Sequence, residues 1–215
     1  ALSKEYSATM MPAGAKGTPN HAEKVMKYYS IATGDSSAEI SLLEGNSGLK
    51  VVYYNQGDAA WKSIPYSTST IGQSGCGPTS MAICISTLSG KKITPRQTCQ
   101  WAGSQGYYVK GAGSKHDVIP GLAKKYGVKC KGVGKNKPQI IQALKTGKLV
   151  VAIMSAGHFT SGGHFIVLTG IKDGKITVAD CGSRQRTKQT WSLDLIVNES
   201  NSSASAGGPF WIISK

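Results

Sequence analysis

A cysteine with glycine on both sides stands at position 76, in the run Gly72-Gln73-Ser74-Gly75-Cys76-Gly77-Pro78. Pro78 suits the first turn of a helix, Met81, Ile85 and Leu88 form an apolar stripe, and Gly90 ends it, so Cys76 is predicted at a helix N-terminus. Unpaired N–H groups and the positive dipole end favour thiolate there. With an imidazolium nearby, a thiol can fall from about 8.5 to roughly 3.5–7.5. The flanking glycines are expected to let a substrate backbone come close. These features describe a nucleophilic sulfur. Cys84 and Cys99 fall within helical stretches and Cys130 in a lysine-rich strand, where cysteine reads as a small packing residue.

A nucleophile needs a base. His164 follows Gly162-Gly163 and leads into Phe165-Ile166-Val167-Leu168, an apolar run that predicts a buried strand able to hold the imidazole rigidly. His158, in Gly157-His158-Phe159, reads as a loop residue at the cleft edge and the alternative base; His21 and His116 read as solvated. The carboxylate that would orient His164 follows from register. If Lys172-Asp173-Gly174 were closed by a two-residue Asp173-Gly174 turn, Lys172 would pair with Lys175 and Asp180 would face away. A three-residue turn, or an equivalent bulge, places Gly182 opposite His164 and Asp180 on the same-face diagonal, about 7–8 Å off and within side-chain reach. Asp194 is the substitute.

The elements that must position these groups form an α+β series. A boundary is expected near Leu49, between an extension at 1–49, with a short helix from Asn20 and a linker at 36–48, and a domain at 50–215. Residues 50–56 are β-rich. Helices are predicted from Cys76, from Thr94-Pro95, from Asp117 to Gly127 and from Lys137-Pro138 to Gly147. Strands follow at 149–154, 164–171, 175–180 and 210–214, so the helices precede an antiparallel sheet.

Composition narrows the classes. In 215 residues, 40% are hydrophobic and 17% charged, which excludes a disordered tail or coiled coil. The longest apolar run, Leu149 to Met154, falls far short of the roughly 20 residues of a membrane span. No CxxC or HExxH suggests a metal, and no cofactor is expected. The net charge of +14 sits wholly in residues 51–215, densest between Lys124 and Lys148, where eight lysines meet no acid. Such a field attracts polyanions. Aromatics are only 7% and do not interleave with the lysines, so an anionic wall polymer fits better than nucleic acid.

Tyr53-Tyr54-Asn55-Gln56, Trp61, Gly75-Cys76-Gly77-Pro78, Gly162 to Leu168 and Val178-Ala179-Asp180 together resemble the stand-alone bacterial relatives of the double-glycine leader peptidases, within the papain-like cysteine peptidases. The resemblance covers roughly residues 50–215. It implies a papain-like fold, with Cys76 as nucleophile, His164 as base and then acid, and Asp180 as the residue orienting His164. It also implies a glutamine at the oxyanion, which maps to Gln56 with Gln73 as rival. Cys181 stands where relatives usually carry proline, which sets a second thiol beside the site; a Cys76–Cys181 disulfide would switch such an enzyme off. The expected activity is peptide-bond hydrolysis through a thioester, by a monomer outside a bacterial cell or in its wall. A secreted peptide or peptidoglycan bridges would be the substrate, and an amine could replace water as acceptor. The contrasting expectation is a non-catalytic papain-like module that binds an anionic polymer.

Overall fold

The computed structural model describes residues 49–215 and the backbone of strand β1 (Ser41–Glu44). β1 pairs antiparallel with β2 (Lys50–Tyr53), so the stretch read as linker contributes a strand. The helix predicted from Asn20 lies outside the described residues.

A small hairpin, β3 (Pro65–Tyr66) and β4 (Ser69–Thr70), leads into a single turn, α1 (Ile71–Ser74). Then comes α2 (Cys76–Ser89), which ends where Gly90 takes the left-handed conformation at φ 71°. α3 (Pro95–Ser104) opens on a capping box between Thr94 and Gln97, which satisfies two N–H groups that the helix cannot. A second hairpin, β5 (Tyr108–Val109) and β6 (Gly113–Ser114), precedes α4 (Val118–Tyr126) and β7 (Lys129–Gly132). α5 (Lys137–Lys145) starts under Asn136, whose side chain accepts the Gln139 N–H at 3.0 Å.

The chain then builds β8 (Leu149–Met154), β9 (His164–Lys172), β10 (Lys175–Ala179), the turn α6 (Arg184–Thr187), β11 (Thr190–Trp191), α7 (Leu193–Glu199) and β12 (Phe210–Ser214). Six strands form one sheet in the order β11-β10-β9-β8-β12-β7, every neighbouring pair antiparallel. All six residues of β8 are buried, which is why that strand reads as an unbroken apolar run rather than an alternation. Ile140 and Leu144 of α5 and Ile196 of α7 share a core with Val150, Ile166, Leu168, Ile176 and Phe210 of the sheet. α2 packs along β9: Ser80 Oγ donates to the Phe165 carbonyl at 3.3 Å, and a Cβ at Gly77 would lie 3.2 Å from the Phe165 ring. The start of α2 is thereby laid against the start of β9. Mixed helices and an antiparallel sheet make this an α+β fold. Among the described residues no helix is long and apolar enough to cross a membrane.

The β9–β10 hairpin has the short turn. Lys172 pairs with Lys175 and Ile171 with Ile176, while Asp173 and Gly174 both take positive φ, 49° and 74°. Left alone, that turn would send Asp180 to the wrong face. The register shifts between Thr177 and Val178, where Thr177 pairs with Gly170 but Val178 with Leu168. One residue of β9, Thr169, is thus left without an opposite number, and the bulge turns the remaining pairs by one position.

Candidate active site

Cys76 is the first residue of α2 and half-buried; His164 is the first residue of β9 and almost wholly enclosed. Because α2 lies along β9, the sulfur and the imidazole are close enough for each to shift the other's titration. Nε2 of His164 is 2.8 Å from Oδ1 of Asp180, which leaves Nδ1 to the sulfur. Asp180 is completely buried just beyond β10. Its Oδ1 also accepts the Gly182 N–H at 2.8 Å, and its Oδ2 accepts Nε–H of Arg186 at 2.5 Å. Both carboxylate oxygens are therefore committed, which fixes the plane in which the imidazole is held.

Electrostatics follow from these contacts. Burial pushes the Cys76 thiol up, but the hydrogen bond and positive charge of His164, with backbone N–H groups of Phe165 and Gly77, carry the net shift down. Burial pushes His164 down, and hydrogen bonds and charges from Asp180 and Cys76 overcome it, raising the imidazole to about 9. Asp180 is pushed up by burial and more strongly down by His164 and Arg186. The three groups thus favour thiolate, imidazolium and carboxylate together.

Gln56 arrives from the segment after β2. Its backbone N–H donates to the Cys181 carbonyl at 2.8 Å, and its Nε2 donates to the Gly72 carbonyl at 2.8 Å. The neighbouring residues supply the anchor: Tyr53 donates its hydroxyl to the Asp180 carbonyl at 2.8 Å, Asn55 Nδ2 donates to that hydroxyl, and Trp61 Nε1 donates to the Asn55 carbonyl. Residues 53–56 are in this way stitched to the chain at 180–181. Gln73 is exposed and receives the Ser69 hydroxyl instead, so of the two glutamines the structure brings Gln56 to the site.

Cys181 is a free, fully buried thiol, and Cys76 is free as well. Its sulfur lies 3.5 Å from each of three acceptors: Gln56 Oε1 and the carbonyls of Cys76 and Phe165. Burial and the negative charges of Cys76 and Asp180 hold it well above the ordinary thiol range, so it is an uncharged donor behind the site. Cys84 and Cys99 are buried and pushed upward by desolvation, and Cys130 is raised to about 11 by the same cause. Cys99 lies behind the start of α2, its sulfur donating to the Gly75 carbonyl at 4.0 Å, and the charge of Cys76 adds to the burial that raises it.

Three sequence expectations change. Gly75 and Gly77 are buried, and they serve the fold rather than an approaching ligand: a Cβ at Gly75 would sit 2.6 Å from the Ile71 carbonyl. Asp194 is exposed and paired with Lys137 at 2.6 Å, away from His164. His116 is not simply solvated. It is half-buried, near the rings of Phe165 and Trp211, and lines a cavity of about 520 Å³ that Cys76 also lines. His158 is exposed and bonded to Glu199 through both its ring and its backbone N–H, holding the loop before β9 to α7. Arg186 was not among the expected residues; its closeness in sequence to Asp180 and a serine at 183 were the only hints, because the single turn α6 is too short to show a helical period. Ser183 starts that turn by accepting the Arg186 N–H at 3.2 Å, and this sets the guanidinium on the carboxylate. Among the described residues no group of three or more His, Cys, Asp or Glu is placed to hold a metal ion.

The family model described as Peptidase C39-like matches residues 48–206. No curated protein matches the chain. Among solved structures, a crystal structure of a C39-like peptidase candidate from Bacillus anthracis aligns with a TM-score of 0.49 at 16% identity, covering 83% of this chain and 98% of that one.

Proposed function

The chain belongs to the Peptidase C39-like family, and from that premise we propose that it hydrolyses peptide bonds with Cys76 as nucleophile. His164 is the acid and base, Asp180 the orienting carboxylate, and Gln56 a donor to the oxyanion. The observation that carries the reading is the imidazole of His164, held between the sulfur of Cys76 and the buried carboxylate of Asp180. The thiolate adds to the scissile carbonyl carbon. Gln56 has one amide hydrogen committed to Gly72, which leaves the other for the developing oxyanion, a contribution of about 10²–10³ in rate. As the tetrahedral adduct collapses, the Nδ1 proton of His164 passes to the leaving amine and a thioester remains. The neutral imidazole then takes a proton from water, whose oxygen attacks the thioester, and the departing thiolate restores the ion pair.

The proposal extends to place and substrate. The excess of lysine between residues 124 and 148 suits work among anionic polymers outside a bacterial cell or in its wall, on a secreted peptide or on wall peptide bridges. The test has two arms. Iodoacetamide labelling near pH 6 is expected to reach Cys76 stoichiometrically and to be lost in His164→Ala. Purified peptidoglycan and Gly-Gly peptides are expected to be cut by the wild type and not by Cys76→Ala. A Cys76 that titrates like an ordinary cysteine would favour a non-catalytic module instead.

A further inference from the structure

The cavity beside Cys76 has a second histidine in its wall, and the hydrogen bonding of that histidine is determinate. Nδ1 of His116 receives the backbone N–H of Ser205 at 3.0 Å and lies 3.2 Å from the Ser205 hydroxyl, which can donate to the same nitrogen. A backbone amide can only donate, so Nδ1 must present its lone pair, and the ring is the neutral tautomer with its hydrogen on Nε2. Burial lowers the His116 pKa against the pull of Asp117, in agreement with a neutral ring. The rings of Phe165 and Trp211 lie about 6 Å away, centroid to centroid, and keep the imidazole in place. Among the described residues no protein group bonds Nε2. The remaining wall is mixed: Gly111 and Gly163 contribute no side chain, Ala112, Ile153 and Phe165 contribute apolar ones, and Ser114, Lys115, Asn201 and Ser205 contribute polar ones.

We propose that His116 is a substrate-binding residue whose Nε2–H donates to a main-chain carbonyl oxygen of the peptide lying in this cavity. The inference rests on the peptidase reading and adds to it the residue that grips the substrate. His116 is separate from the proton chemistry, because its Nδ1 is occupied by Ser205 and its Nε2 starts with a hydrogen it has no partner to replace.

The experiment compares two alkylating agents at Cys76. Iodoacetamide needs only the thiolate, whereas acetyl-Ala-Ala-Gly chloromethyl ketone must also seat a peptide. In His116→Ala the rate constant for the peptidyl reagent is expected to fall about 5- to 10-fold, the worth of one neutral hydrogen bond, with the iodoacetamide rate within about twofold of wild type. His116→Gln, which keeps an N–H donor, is expected to recover part of the loss. Unchanged discrimination between the two reagents in His116→Ala would overturn the inference, as would an equal fall in both rates, which would make His116 a support for the thiol or the fold. A wild-type Cys76 inert to iodoacetamide near pH 6 would instead remove the peptidase reading itself, and this inference with it.

Discussion

Replacing Asp180 by Asn tests the arrangement most sharply, because it changes a charge while keeping the shape. In the wild type the imidazole is raised from 6.5 to about 9, a net stabilisation of the imidazolium of about 3 kcal/mol. Asp180 and Cys76 supply it together, against the cost of burial. Without the carboxylate, burial is opposed by Cys76 alone, and His164 falls back toward the ordinary imidazole range or below it. Thiolate and imidazolium stabilise each other reciprocally, so Cys76 loses its counter-charge near neutrality. If between half and all of the stabilisation goes, reaction of the thiolate at pH 7 drops roughly 10- to 100-fold. Asparagine also cannot serve both sides: oriented to accept from His164 and Gly182 it turns its NH₂ toward Arg186, and in the other orientation toward the Gly182 N–H. One buried donor is left facing another, at a cost of about 1–3 kcal/mol to folding. The assay is the rate of iodoacetamide alkylation of Cys76 from pH 5 to 10, with a thermal melt alongside to confirm the folded state. The wild-type profile is expected to show reactivity reaching below pH 7; in Asp180→Asn the rise is expected to move to the alkaline range of a buried thiol. Superimposable profiles would refute the argument, since Asp180 would then have no hold on the ion pair.

Gln56→Ala is expected to lower kcat about 10²–10³-fold while Gln73→Ala leaves it unchanged, read by hydrolysis of a peptide that the wild type cuts. Gly182→Ala puts a methyl 3.0 Å from Cε1 and 3.2 Å from Nε2 of His164; the ring must turn, so alkylation at pH 6 is expected to fall while the melting temperature changes little. In Cys76→Ala the His164 titration, followed by NMR, is expected to move down from about 9, because one of the two groups that raise it is gone. Stability should follow the same groups. The raised imidazole contributes stability that is complete below about 6.5 and lost as pH rises through about 9, whereas the depressed Asp180 contributes stability lost as acid protonates it. Urea unfolding of Asp180→Asn is accordingly expected to depend less on pH at both ends than that of the wild type.

The helices were legible because their ends are chemically marked: Thr94 with Gln97, Asn136 before Pro138, and Gly90 and Gly127 in left-handed positions all lie close to where the sequence puts them. The long strands were legible from their apolar runs. The two-residue pairings β3–β4 and β5–β6 carry no periodicity to read, and β1 lies in a stretch whose Ser, Glu and Gly content speaks for linker; its partner β2 supplies what the local sequence lacks. The hairpin at residues 172–175 shows the limit well. Asp-Gly is a strong signal for the short turn and that turn is present, yet the pairing that places Asp180 depends on a bulge at Thr169. No residue type announces that bulge: sequence could establish that one extra residue was needed, but not on which strand it would fall.

The same distinction runs through the site. Cys76, His164 and Asp180 could be singled out because each sits at the edge of a regular element, where local signals are strongest; Gln56, three residues beyond β2, is pointed to only by the family resemblance. Arg186 and His116 could not be singled out, and Cys181 is marked only as a second thiol beside the site, because their roles arise from contacts between distant segments. Arg186 acts only once α6 folds it back onto Asp180, and Cys181 matters because its sulfur falls among Gln56, Cys76 and Phe165. His116 and Ser205 are 89 residues apart, and without the Ser205 N–H the imidazole would be free to take either tautomer. The glycines make the reverse case. Their small size beside Cys76 suggested room for a substrate, whereas the space at Gly75 is already taken by the Ile71 carbonyl and that at Gly77 by Phe165 and Val118. A glycine next to a nucleophile is thus equally a mark of two backbones meeting. Gly111 and Gly163, far from Cys76 in sequence, are the glycines that do line the cavity beside it, brought there only by the fold.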